Sequence, residues 1–502
     1  MKYAVVILGL CWGTILHAAG PRLIIHDAKI VTVDPAFSIR QAMAVEGNRI
    51  VAVGRDEDIL RLRTQDTEVL DLDGRMVLPG LIDSHVHACG AAMTEFDHPI
   101  PDMESVQDVL EYFRTRAGQL QDGQWIVLQQ VFITRLREQR YPTRAELDEA
   151  VPNNPCVFRT GPDASLNTLA LKLSGIDRDF RVTDGGPGHI EKDPRTGEPT
   201  GILRGCTRYI KSRDPGRKTT EQDRYERLLA LFKDYSSVGL TGICDGDASQ
   251  GNLDLYGRML DKGEMPVRIA AQYHVDTIGP IEQIEESIRK VGQHPLRRGG
   301  PMLKVIGVKV YLDGGMLTGS AYMSRPWGVS KIYAIDDPNY RGVLFIPKDR
   351  LLAMVRTATE SGLQFTAHTV GDGAVETLVD VYDQLSRTMP IRDMRHCITH
   401  SNFMSPETVK KVAELKVIPL VQPAWLYLDT RTLVGHFGYD RLRWFQPLMS
   451  LLDAGAVVAG GSDHMQKVGS LRSINPYDPF LGMWTTLRSE ERRVGKEGRS
   501  RW

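Results

Sequence analysis

The stretch LPGLIDSHVHACGAA, residues 78–92, places His85 and His87 one residue apart at the end of an apolar run. In a strand, residues i and i+2 point to the same face, so this pair can grip one ion together. Neutral imidazole is a ligand for Zn2+ and similar borderline metals. Taken alone, a strand-end histidine is more often structural. Other apolar runs end in a comparable way. His368 closes LQFTAH, His400 closes RHCITH, Asp463 follows AVVAGGS, and Lys309 stands within VIGVKVYLDGG. Four imidazoles and a carboxylate converging on one point suit a divalent cation.

They converge only if the strands carrying them share a direction. Beyond residue 78 the sequence alternates apolar strands with amphipathic helices. WIVLQQVF, GLTGICD, VRIAAQYH, KVIGVKVYL, LQFTAH, RHCITH, KVIPLVQ and AVVAGG read as strands. PKDRLLAMVRTATESG, GAVETLVDVYDQL, SPETVKKVAELK and PLMSLLDAGA read as helices. Such repetition argues for an α/β fold with a parallel sheet and helices outside, and leaves an open sheet and a closed eight-stranded barrel both open. In a parallel barrel all strand C-termini emerge on one face, where such barrels keep their active sites. His368 and His400 are about one strand–helix unit apart. His400 and Asp463 are about two apart, with KVIPLVQ between them.

The flanking segments read differently. Residues 1–19 begin with Lys2, an apolar stretch from Ala4 to Leu16, and HAAG. That is the pattern of an export signal, too short to span a bilayer comfortably, and it predicts a periplasmic or extracellular protein. Residues 20–77 read as short strands of a small β-sandwich, and 78–485 as the main body. Within it, about 95–230 is turn-rich and reads as an inserted subdomain over one face. Residues 486–502 form a basic tail without apolar periodicity, solvated or of artefactual origin. The chain has 502 residues and a net charge of -1, so nothing points to nucleic acid or an anionic membrane. Six cysteines without C-x-x-C spacing read as buried thiols rather than a disulfide framework or a zinc knot.

LPGLIDSHVH, KVYLDGG, AHTVGDGAV, ITHSNFMSP and GGSDH together resemble the amidohydrolase superfamily. They are most similar to its YtcJ-like (amidohydrolase 3) branch, which includes N-substituted formamide deformylases. The resemblance implies a (β/α)8 TIM-like barrel with a small β-sandwich built from both chain ends. It implies one or two metals, with zinc the expectation. His85 and His87 would bind the more buried ion and Asp463 would complete it; His368 and His400 would bind a second. Lys309, carboxylated by CO2, would bridge the two. A protonated ammonium has no lone pair, whereas a carbamate offers two anionic oxygens. The plainer reading of Lys309 is a buried or snorkelling lysine. The activity implied is hydrolysis of an amide or related C–N bond by a metal-activated hydroxide, with Asp463 as catalytic base and then acid.

Departures from the branch touch the pocket rather than the ligands. Asp163, Thr399, Gly373 and His464 stand where the branch commonly has His, Glu, Arg and Trp. The C-terminal strands that normally finish the sandwich are missing from the pattern. Arg325, Trp327, Trp425 and Tyr427 lie on loops beyond strands and suit substrate contact, with plain loop packing as the alternative. Two further readings stay open. One is a mononuclear deaminase or cyclic-amide hydrolase on the same barrel, and the other a non-catalytic exported metal-binding protein. The partner expected is a small amide-like substrate, with no nucleic acid and no stable membrane insertion; a homodimer is left open.

Overall fold

The computed structural model describes residues 20–213 and 216–488. The expected export signal, residues 1–19, and the tail beyond residue 488 lie outside the described residues. Two compact units meet in sequence at Gly80.

In the first unit, period-two patterning governs. Ala42–Glu46 buries Ala42 and Ala44 and turns Met43 and Val45 outward. These alanines pack with Ile24 and Ile59 in a small core. One sheet runs Arg49–Gly54, Ala42–Glu46, Leu23–His26, Glu68–Asp71; a second runs Ile39–Arg40, Lys29–Val31, Met76–Val77.

The second unit is a (β/α)8 barrel. Its parallel strands are Leu81–Val86, Leu240–Ala248, Arg268–His274, Leu303–Tyr311, Gln364–Thr369, Cys397–His400, Ile418–Val421 and Ala459–Gly460. The ring closes through residues just past the eighth strand. Asp463 N–H donates to His85 O and His87 N–H to His464 O, both at 2.8 Å. Ser462 N–H donates to the Asp83 carboxylate at 3.0 Å. Of the two sheet forms the pattern allows, the chain adopts the closed one. AVVAGG supplies only two strand residues, and Gly461 just past them lies against the first strand: a Cβ there would sit 2.8 Å from His85 N.

Helices cover the barrel because their apolar residues recur on one face. Glu221–Ser237 buries Tyr225, Leu228, Leu231, Phe232 and Tyr235. Thr220 and Asp223 form a capping box that fixes where this helix starts. Ser405 caps Pro406–Glu414, with proline at the first helical position, where its missing N–H costs nothing. No helix of the described residues is long and apolar enough to cross a membrane. The five described cysteines are free, and four are buried.

Between the first and second barrel strands the chain builds a separate sheet, in the order His189–Lys192, Pro199–Arg204, Asp163–Leu166, Cys156–Thr160, Ile126–Gln129. WIVLQQVF is a strand of this sheet and not of the barrel. At the end of its strand Pro199–Arg204, Arg204 is fully buried. Its Nε donates to Glu191 at 3.0 Å, and its other nitrogens donate to Tyr141 Oη and to the carbonyls of Thr318 and Tyr333. Asp163, the residue that departs from the branch pattern, lies 3.8 Å from this guanidinium and accepts from Gly205 N–H at 2.8 Å. Through Thr318 O and Tyr333 O, Arg204 joins the insert to the loop after the fourth strand.

Candidate metal centre

The candidate ligands stand at barrel strand ends or just beyond. His85 lies in the first strand with His87 one residue past it. Lys309 lies in the fourth, His368 in the fifth and His400 at the end of the sixth, and Asp463 follows the eighth. The fold brings them together. His85 Nε2 and His87 Nε2 lie 3.4 and 3.3 Å from Asp463 Oδ1. Ring centres of His85 and His400 are 5.2 Å apart, and those of His368 and His400 4.5 Å. One ligand atom from each of His85, His400 and Asp463 falls within 4.8 Å of the other two. Lys309 is fully buried beside them, its Nζ donating to Gly246 O at 3.3 Å.

The donor set fits a metal ion. Both ring nitrogens of His85 and Oδ1 of Asp463 are buried without a hydrogen-bond partner. Leaving such an atom unpaired costs about 1–3 kcal/mol, and native folds accept that mainly where a bound group fills the gap. Burial first, and then the Lys309 ammonium and neighbouring imidazoles, press His85 well below its ordinary pKa. Burial and the His368 ring do the same to His400. His368 falls to about 3, from burial and then Lys309. Neutral imidazoles with free lone pairs are what a cation needs. Burial also lowers Lys309, toward the amine form. For His87, burial opposes protonation, but the Asp463 carboxylate outweighs it and raises the pKa.

Neighbouring groups aim the ligands. His400 Nδ1–H donates to Gln422 Oε1 at 2.8 Å, which turns Nε2 away from Gln422 as a bare acceptor. Trp425 stacks on the same ring at 5.3 Å and 17°. Gly246 makes room for His85, since a Cβ there would lie 2.0 Å from Nδ1. His400, Ser401 and Asp463 hold φ values of 75°, 45° and 56°, a left-handed region that non-glycine residues seldom occupy. Such strain is characteristic of functional sites.

Of the four expected pocket residues, only Trp425 is brought to this cluster. Trp327 is buried in the packing of the insert and the loop after the fourth strand; its indole N–H donates to Ala321 O at 2.8 Å and its ring meets Tyr333 and Phe437. Arg325 is exposed, and its carbonyl accepts from Arg441. Tyr427 is 66% exposed and lies against Trp484. It lines a cavity of about 1350 Å3, which none of the six candidate ligands lines. His464 is packed inside, with Nδ1 2.7 Å from Tyr235 Oη and Nε2 donating to the carbonyls of Gln466 and Lys467.

Three residues at the barrel mouth are not anticipated from the sequence. Asp247 ends the run after GLTGIC, accepting from Tyr311 Oη at 2.9 Å and pairing with His274 Nδ1 at 2.7 Å. The Asp247 hydrogen bond raises the pKa of His274. Tyr311 packs on His368 with ring centres 5.4 Å apart. RIAAQYH ends in a histidine as LQFTAH does, so the strand-end signal was present for His274 too.

A sequence model of the amidohydrolase family matches residues 68–501. The chain belongs to the amidohydrolase family. Membership of that family makes it a hydrolase acting on carbon–nitrogen bonds. This amidohydrolase is 28% identical to the N-substituted formamide deformylase of Arthrobacter pascens over 93% of its own length and 84% of that protein's. It is 26% identical to YtcJ of Bacillus subtilis (strain 168), over 92% and 83% of the two chains. Its fold matches that of an uncharacterized metal-dependent hydrolase from Pyrococcus horikoshii OT3 with a TM-score of 0.63. That match has 20% identity and covers 92% and 85% of the chains.

Proposed function

We propose that this amidohydrolase cleaves a small N-acyl compound, an amide or N-substituted formamide, with divalent metal at the histidine cluster. The observation that carries the reading is the trio of His85 Nδ1, His85 Nε2 and Asp463 Oδ1, all buried and unpaired beside His400. Similarity to a formamide deformylase supports the substrate class. His85, His87, Asp463, His368 and His400 would hold the metal, with zinc the natural choice for imidazole-rich sites. Bound there, such a cation acidifies water and polarises a carbonyl.

The chain's own groups do the rest. Asp463 takes the proton of the attacking water on its free carboxylate oxygen and hands it to the leaving nitrogen. Burial raises its pKa, which makes it a better base for that task. Lys309, lowered toward the neutral amine, can add its lone pair to CO2 and lose a proton. The resulting carbamate gives the cluster an anion that a lysine lacks. Gln422 and Trp425 hold His400 in one orientation.

Metal counting and turnover together test this. The expected result is two equivalents of divalent metal, deformylation or deacylation within a panel of N-formyl and N-acetyl amides, and loss of one equivalent in Lys309→Ala. A protein that binds metal and turns over none of the panel would sink it. The compact trio of His85, His400 and Asp463 favours a second reading, a mononuclear deaminase or cyclic-amide hydrolase. One equivalent in the wild type, unchanged in Lys309→Ala, selects that reading. Export, proposed from Lys2 and the apolar run Ala4–Leu16, is checked by fractionating cells that express the full chain.

A further inference from the structure

Asn475 lies 12 residues past Asp463 and is fully buried. Its side-chain amide meets the histidine cluster at two places. At one end Nδ2–H donates to Asp463 O at 2.8 Å. At the other, Oδ1 accepts from Trp425 Nε1–H at 3.2 Å, and Trp425 is the ring stacked on His400. A third contact fixes which way the amide points. Arg135, in the insert's turn Ile133–Arg135, donates from Nη1 to the same Oδ1 at 3.2 Å and to Ile474 O. Its other nitrogens grip both oxygens of Asp429, at 2.9 and 2.8 Å. Asp429 is fully buried, and its N–H donates to Trp425 O at 2.9 Å. Two N–H donors facing Oδ1 and a carbonyl facing Nδ2 admit one orientation of the carboxamide. The flipped one would set donors against the NH2 and a carbonyl against an oxygen.

The contact with Asp463 bears on chemistry. Asp463 holds a left-handed φ of 56°, a conformation that a residue other than glycine keeps only where its surroundings over-determine it. Here both of its backbone groups are held. Its N–H donates to His85 O, and its carbonyl accepts from Asn475. The side chain between them then presents Oδ1 to His85 and His87. Trp425 is held in the same manner, by Asn475 at its indole N–H and by Asp429 at its carbonyl. One carboxamide therefore supports a candidate ligand directly and a second through the ring that packs on it.

Resting on the hydrolase reading above, we propose that Asn475 is a positioning residue, which sets the carboxylate of Asp463 directly and the ring of His400 through Trp425. Arg135 locks the amide from the insert, so the insert contributes to the centre from outside the barrel strands.

The test loads the full chain with Co2+, whose visible absorption reports coordination geometry, and separates the two ends of the amide. Asn475→Asp keeps the acceptor toward Trp425 and Arg135 and removes the donor toward Asp463. Trp425→Phe keeps a ring against His400 and removes the indole N–H. Arg135→Lys keeps a charge beside Asp429 and gives up the fork that also reaches Asn475. Asn167→Asp is the control, since Asn167 is likewise a buried amide and its side-chain contacts all lie within the insert. Asn475→Asp should shift the Co2+ bands and weaken Co2+ binding by about 10- to 100-fold, as when a ligand's support is removed. At saturating Co2+, kcat for the N-acyl amides that wild type hydrolyses should fall, with KM little changed. Trp425→Phe and Arg135→Lys should move bands and affinity in the same direction and less. Asn167→Asp should lower the melting temperature and leave bands, affinity and kcat at wild type. Unmoved bands and affinity in Asn475→Asp would overturn the proposal; if that variant does not fold, the same result in both Trp425→Phe and Arg135→Lys does so. Equal changes in Asn167→Asp, or a wild type that binds no Co2+, also overturn it. The two readings fail separately. Shifted bands without turnover of any N-acyl compound keep Asn475's role and remove the hydrolase reading. Turnover with unmoved bands does the reverse.

Discussion

Arg204 in the insert and Lys309 at the barrel mouth are equally hidden from solvent. Around Arg204 every nitrogen of the guanidinium meets an acceptor, and acids and tyrosines raise its pKa against the effect of burial. Around Lys309 the balance runs the other way. Burial lowers its pKa, His85 and Asp463 leave atoms unpaired, and two ligand positions sit in strained backbone. The first arrangement is what a chain uses to hold itself together. The second is stable only with something added. Burial of charge alone separates nothing: Asp163 Oδ2 beside Arg204 is unpaired too, and what differs is how many acceptors the buried cation itself finds.

That contrast can be broken by substitution. Asp463→Asn should cut turnover by on the order of 10^3 or more, because the proton carrier is gone. Its metal-free melting temperature should fall only modestly, through loss of the pairing with His87; activity assays and calorimetric scans check both. Arg204→Met should do the opposite and cost about 3–5 kcal/mol of stability, by leaving Asp163 and Glu191 as buried or half-buried acids without their cation. Chemical denaturation of the metal-loaded protein measures it, and an unaltered midpoint would erase the distinction. Gly246→Ala lies between the two. Its Cβ must push His85 aside, so metal affinity should fall by about 10- to 100-fold, as when a ligand's support is disturbed. Metal titration of the variant shows it.

The smallest effect concerns a charged pair that is neither buried nor open. Hydrogen bonds from Arg140 hold the Glu146 carboxyl down at about 2, below its usual 4.5. A depressed carboxyl stabilises the folded state above its unfolded pKa, and that contribution fades as pH falls from 4.5 toward 2. Both side chains are about one-third exposed, so solvent screening limits the effect to under about 1 kcal/mol. Glu146→Gln should therefore melt slightly below wild type at pH 6 and level with it near pH 2. A constant gap across that range would refute the assignment.

Much of the site could be read from the sequence, because barrel strands are apolar runs whose last residues must emerge on one face. His85, His368 and His400 announce themselves that way. Asp247 and Tyr311 do not, since their roles depend on contact between different strands, and nothing in either segment marks the partner. Aromatic residues misled for a related reason. Trp327, Trp425 and Tyr427 all follow strands, but spacing does not say which of them turns toward the histidines and which toward insert packing or an outer cavity. Asp163 reads as a departure at the pocket rim until the fold shows Arg204 beside it.

Closure of the barrel has one more consequence. Asp83 and Ser462, 379 residues apart, are joined by the same few backbone links that set His85 against Asp463. A nascent chain still on the ribosome cannot form that seam until nearly all of the barrel has been made. Partly synthesised copies therefore hold no working centre, and catalysis arrives with the last staves of the cask rather than growing by degrees.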